Sequence, residues 1–181
     1  RETCADVGDA EVVIFEFTDP GCPWAWSAEP FRRRINWIYG EHICWKPVMV
    51  GLFASPEDMA ATGATPTRQS ATLQRIAREH GMPIDTAERP RLAGTLEACR
   101  AVIAARLHAP EQERLLLRRL RVQFAGGGLL DDPAVISTAA QEAGLDPATL
   151  LAWDAGDDVG AVLEEDMAHA RPPTPAARVL D

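Results

Sequence analysis

The sequence predicts an α/β protein in which a small parallel sheet is interrupted by a large all-helical insertion. Three observations carry that reading. Val12–Thr18 is a short apolar run, followed by apolar residues at Trp24, Ala28, Phe31, Ile35 and Ile38, the spacing of one helix face. His42–Val50 is a second strand-like run, and a strand joined to the next through a helix returns parallel to it in a right-handed crossover. From about Ser55 to Ala155 the pattern is helical, with no strand signal inside it.

Taken in order, residues 1–10 are polar and carry no pattern. In the first strand Val12, Ile14 and Glu16 share one face, and Val13, Phe15 and Phe17 share the other. Both faces are apolar apart from Glu16, as expected of a central strand covered on both sides. The next helix opens at Pro23, where no N–H partner is needed, and ends at Gly40, a residue suited to a left-handed stop. Pro47 cannot donate a ladder bond, so the second strand lies at an edge or bulges there. A helix over Arg68–His80 ends at Gly81 and Pro83. Thr95 opens another, with Leu96, Cys99, Ile103 and Leu107 on one face, and Pro110 starts a third that halts at Gly126–Gly128. Asp132-Pro133 and Asp146-Pro147 are cap-plus-proline pairs, each opening a short helix. Val159, Val162 or Leu163, and Met167 form a last stripe before Pro172-Pro173-Thr174 and Ala176–Leu180.

The totals narrow the function. A hydrophobic share of 46% and a charged share of 25% are those of an ordinary globular chain. A net charge of −9 argues against nucleic acid or an anionic membrane as partner. No apolar run approaches the ~20 residues that cross a bilayer. Arg1–Cys4 does not open a signal peptide, so the expected location is cytoplasmic. Cys4, Cys22, Cys44 and Cys99 have neither zinc-site nor Cys-x-x-Cys spacing, so neither a metal nor a disulfide framework is expected. His42, His80, His108 and His169 are scattered and form no catalytic or ligand pattern.

Among the cysteines, Cys22 stands apart. It closes the Thr18-Asp19-Pro20-Gly21 turn between strand and helix, where unpaired N–H groups and the positive end of the helix dipole converge on it and favour a thiolate. Cys44 on a strand and Cys99 on an apolar helix face read instead as small buried hydrophobes. Trp24 and Trp26 flank the thiol; one could wall a substrate groove, though aromatics at this spacing are more often core. Arg32, Arg33 and Arg34 read as the solvated side of the helix rather than an anion site.

The strand, the turn and Asp19-Pro20-Gly21-Cys22-Pro23-Trp24-Ala25-Trp26 resemble the active-site segment of thioredoxin-fold proteins. They resemble most the DsbA/FrnE-like branch, near 2-hydroxychromene-2-carboxylate isomerases and kappa-class glutathione transferases. Glu16, six residues before Cys22, matches the family's buried carboxylate, and Pro30, eight after it, matches the helix-kinking proline. The resemblance implies a thioredoxin-like domain in two parts, residues 1–54 and 156–181, the second shorter than in the family, around an inserted helical domain at 55–155. It implies Cys22 as nucleophile with Glu16 as proton acceptor or structurally paired acid. It also implies a substrate groove at Pro23 and Trp24, faced by a cis-proline loop at Pro173 and Thr174.

One departure changes the chemistry. The family's second cysteine is replaced by Ala25, so a mixed disulfide formed on Cys22 has no neighbouring thiol to resolve it. The expected function is therefore a single-cysteine thiol-disulfide oxidoreductase working through a mixed disulfide with a protein or small-molecule thiol or disulfide. No cofactor is bound tightly; glutathione or another low-molecular-weight thiol would serve as co-reactant. Two alternatives stay open: a glutathione-type isomerase or transferase, and a non-enzymatic adaptor resembling YjbH/SpxH.

Overall fold

In the computed structural model the described residues are 12–40 and 42–171. Strand β1 (Val12–Thr18) and strand β2 (Ile43–Met49) pair in parallel, from Val12 opposite Ile43 to Thr18 opposite Met49. Helix α1 (Pro23–Tyr39) makes the crossover between them. Seven helices follow: α2 (Pro56–Ala61), α3 (Pro66–His80), α4 (Leu96–His108), α5 (Glu113–Ala125), α6 (Pro133–Glu142), α7 (Pro147–Asp154) and α8 (Asp157–Ala170). None is long and apolar enough to cross a membrane.

Four of these helices start by the same device. A proline occupies the first turn, and the side chain before it, Ser55, Thr65, Asp132 or Asp146, accepts an N–H from that turn. Helix α2 is the one the sequence reading passed over, although Ser55-Pro56 carries the same signature as the two Asp-Pro pairs. Helix α5 begins three residues later than Pro110, because Gln112 N–H turns back to the Ala109 carbonyl at 2.9 Å. Gly81 ends α3 in the left-handed region at φ +71°, but Gly40 ends α1 at φ −57°, without the expected left-handed turn.

The core is built on α4. Its buried residues, Ala98, Cys99 and Ala101 to Ala105, are mostly small, so α5, α7 and α8 pack closely around it. Met49 carries the end of β2 into the same cluster. The outer edge of β2 is closed by charged side chains: Asp166 of α8 accepts Met49 N–H at 2.8 Å, and Arg106 donates to the Pro47 carbonyl at 2.7 Å. Proline at the edge thus costs no ladder bond.

Three expectations are corrected. Among the described residues β1 pairs with β2 alone, and Phe15 and Phe17 are 52% and 50% exposed, so β1 is not covered on both faces. In α1 the apolar stripe of Trp24, Ala28, Phe31, Ile35 and Ile38 is the exposed side; the helix buries Trp26, Ser27, Glu29 and Arg32. Arg32 therefore belongs to the interior, while Arg33 and Arg34 remain exposed. Lastly, Cys44 is buried as expected but is disulfide-bonded rather than a free thiol.

Candidate active site

The chain leaves β1 at Thr18, turns through Asp19, Pro20 and Gly21, and enters α1 with Cys22 as its N-cap in extended backbone, φ −84° and ψ 112°. Cys22 N–H donates to the Asp19 carbonyl at 3.2 Å, and Cys22 C=O accepts Trp26 N–H at 3.1 Å, the first helical bond. Cys22 is a free cysteine, half-buried, and its side chain makes no cap bond. With proline at the first helical position, Trp24 and Ala25 carry the N–H groups of that turn. A helix start of this kind leaves such donors facing an anion at the cap.

Beneath this turn Asp19 is fully buried. Its Oδ1 accepts Gly21 N–H at 2.7 Å. Its Oδ2 accepts Leu52 N–H at 2.9 Å, the Thr95 hydroxyl at 2.8 Å and the Cys99 thiol at 3.4 Å. Burial raises its pKa above the ordinary carboxylate value against the lowering effect of those donors. Burial, with the Asp19 charge beside it, pushes the Cys99 thiol well up, so Cys99 is a neutral donor rather than a second nucleophile.

Glu16 lies in an arginine cluster. Its Oε1 accepts from Arg121 at 2.9 Å, and Arg114 stands 3.6 Å from Oε2. Arg121 also donates to Thr18 Oγ1 at 2.6 Å and to Glu29 at 3.1 Å, so one guanidinium from α5 ties together β1 and α1. Glu29, 2% exposed, is surrounded by Arg32, Arg33, Arg118 and Arg121. Although burial pushes its pKa up, the four guanidiniums outweigh this and hold it below the usual carboxylate value. Of the two roles open to Glu16, a structurally paired acid fits these contacts.

Trp24 stands half-exposed beside the thiol and meets His80 edge-on, ring centroids 5.2 Å apart. Trp26 is core: its indole N–H donates to the Pro83 carbonyl at 2.9 Å, and Arg118 lies over its ring. A small recess is lined by Gly21, Thr95, Arg89, Phe124 and Leu130. Arg89 is buried there, donating to the carbonyls of Gly128 and Phe124. The structure thus brings Cys22, Pro23 and Trp24 to one helix mouth and sets Glu16 among arginines. Pro173 and Thr174 lie outside the described residues.

Sequence reasoning missed Asp19, Thr95, Arg114 and Arg121. Asp19 was legible as a turn residue and as the first residue of the Asp19–Trp26 motif, not as the buried acceptor beneath it, and the arginines of α5 are indistinguishable by spacing from a solvated face.

The DSBA-like thioredoxin domain model matches residues 13–172. The chain is a member of this family. No curated protein matches the DsbA-like chain. Among solved structures it is similar to a candidate protein disulfide isomerase from Nitrosomonas europaea, with a TM-score of 0.70 and 20% identity over 87% of this chain and 76% of the other. It is also similar to the cytosolic disulfide reductase DsbM from Pseudomonas aeruginosa, solved with GSH, with a TM-score of 0.67 and 20% identity over 87% and 79%. A 2-hydroxychromene-2-carboxylate isomerase aligns with a TM-score of 0.57 and 14% identity over 88% and 79%. At these identities the neighbours establish the DsbA-like thioredoxin fold.

Proposed function

We propose that this DsbA-like protein is a thiol-disulfide oxidoreductase that works through one cysteine. The observation that carries the reading is Cys22 itself: a free, half-buried thiol at the N-cap of α1, with no side-chain cap bond and with Ala25 where a second cysteine would stand. In the first step the Cys22 thiolate attacks one sulfur of a substrate disulfide. A Cys22–substrate S–S bond forms, and the other half leaves as a thiolate with the electron pair. In the second, an external thiolate attacks the substrate sulfur of the mixed disulfide, forming a new external S–S bond and returning Cys22 as thiolate. The exchange needs no other oxidant or reductant.

Glutathione or a similar small thiol is the proposed co-reactant, a class supported by the GSH in the DsbM structure. Pro23 and Trp24, with the Pro173–Thr174 segment, are the proposed substrate contacts. The cytosolic reductase among the neighbours supports a cytoplasmic setting. The disulfide at Cys44 pulls the other way, since such bonds persist in oxidising compartments.

Incubation of the full chain with oxidised glutathione, followed by mass spectrometry, tests the reading. Wild type is expected to carry a glutathione adduct at Cys22, Cys22→Ser none there, and Ala25→Cys to gain insulin-reducing activity. Absence of both the adduct and the gain would remove the oxidoreductase reading.

A further inference from the structure

We propose that Asp19 is the positioning residue of the Cys22 thiol, a buried carboxylate that fixes the nucleophile's turn against α4 of the helical insertion. The proposal rests on the reading of Cys22 as the nucleophile and adds what holds it in place. Asp19 grips the turn twice: its side chain takes Gly21 N–H at 2.7 Å, and its own carbonyl takes Cys22 N–H at 3.2 Å. The other carboxylate oxygen reaches away from the turn, to the backbone after β2 at Leu52 and to Thr95 and Cys99 at the start of α4. One residue thereby fastens the cysteine's backbone to two distant segments.

Two further features show how closely the parts are fitted. Thr95 occupies the N-cap position of α4 yet makes no cap bond with its own helix; its hydroxyl is turned to Asp19. Gly21 has no room for a side chain, because a Cβ there would meet Thr95 Cγ2 at 2.6 Å and Asp19 Oδ1 at 3.3 Å. The groups facing Asp19 are otherwise neutral. Cys99 of α4 is the titratable neighbour in contact, Asp166 of α8 acts on that thiol, and among the described residues no cation pairs with the carboxylate. Burying a carboxylate on neutral donors alone is expensive, and holding one shape is the return it offers here.

The test uses the full chain with Asp19→Asn, Thr95→Val and Thr95→Ser. Folding is checked by circular dichroism, and the rate of Cys22 alkylation by iodoacetamide is followed across pH. Asp19→Asn keeps the size of the side chain but puts an N–H group where a carboxylate oxygen accepts, so it loosens the grip on the turn and is expected to lower the plateau rate. Thr95→Val keeps the carboxylate but removes the hydroxyl it accepts, and is expected to lower the plateau rate about tenfold. Thr95→Ser, which retains the hydroxyl, is expected to restore it. A role confined to holding the fold would move stability and leave these profiles alone. Folded variants whose profiles overlay wild type would overturn the proposal, and the Thr95 pair decides it if Asp19→Asn does not fold. The wild type separates the two claims. A Cys22 no faster in the native than in the unfolded chain removes the nucleophile and this proposal together, whereas a fast wild type with equally fast variants removes this proposal alone.

Discussion

Glu29 and Asp19 are both buried carboxylates, and they respond to protons in opposite directions. Burial works against Glu29's charge, but Arg32, Arg121, Arg33 and Arg118 more than offset it, so its folded pKa lies below the ordinary glutamate value of 4.5. Its contribution to stability is present above that value and is lost as pH falls through the lower folded one. Asp19 is raised by burial from 3.8, so the folded state holds its proton more tightly than the unfolded chain does. Its contribution is present below 3.8 and is lost as pH rises through the folded value. Urea unfolding at a series of acid pH values is expected to show a flatter acid limb for Glu29→Gln. Asp19→Asn is expected to remove a stability loss on the alkaline side of the same range. Slopes unchanged from wild type in either variant would contradict the assignment of that group.

At the level of elements, helix starts were the most legible feature, because a cap and a proline adjacent in sequence act on backbone groups within three residues. Asp146→Ala removes the acceptor for Thr149 N–H and is expected to cost about 1 kcal/mol, read as a lower urea midpoint with an unchanged slope. A midpoint identical to wild type would mean that the cap is idle. The strands, their parallel pairing and the edge position of Pro47 were legible for the same local reason. The buried face of α1 was not. Its periodicity points to Phe31, Ile35 and Ile38, yet the side that goes inside is chosen by Arg118 and Arg121, whose sequence separation from Glu29 is 89 and 92 residues. Glu16 was read as a buried carboxylate and lies half-buried on the strand; its arginine partners on α5 gave no local signal. Cys22 was legible because turn, cap position and first-turn proline are contiguous; Asp19 was not, because three of its four side-chain donors lie far along the chain.

For the whole molecule, the described residues leave large apolar side chains exposed on both faces of β1 and along the outer side of α1. Val12, Phe15 and Phe17 on β1 and Phe31, Ile35, Trp37 and Ile38 on α1 are each more than a third exposed. Surfaces of this kind are uncommon on isolated globular domains. The chain is expected to enhance the fluorescence of 8-anilinonaphthalene-1-sulfonate while keeping its helical circular dichroism, and Phe31→Glu with Trp37→Glu to diminish that enhancement. A chain giving no enhancement would show that surface to be inaccessible to the dye. The contact between Thr95 and Asp19 also bears on how such a chain can diverge. A helical segment transplanted from another scaffold would arrive without the hydroxyl that steadies the sulfur-bearing bend. Descendants that lose the acid at position 19 are therefore expected to abandon the hydroxyl at position 95 as well, the two sites drifting as a pair across a gap of 76 residues.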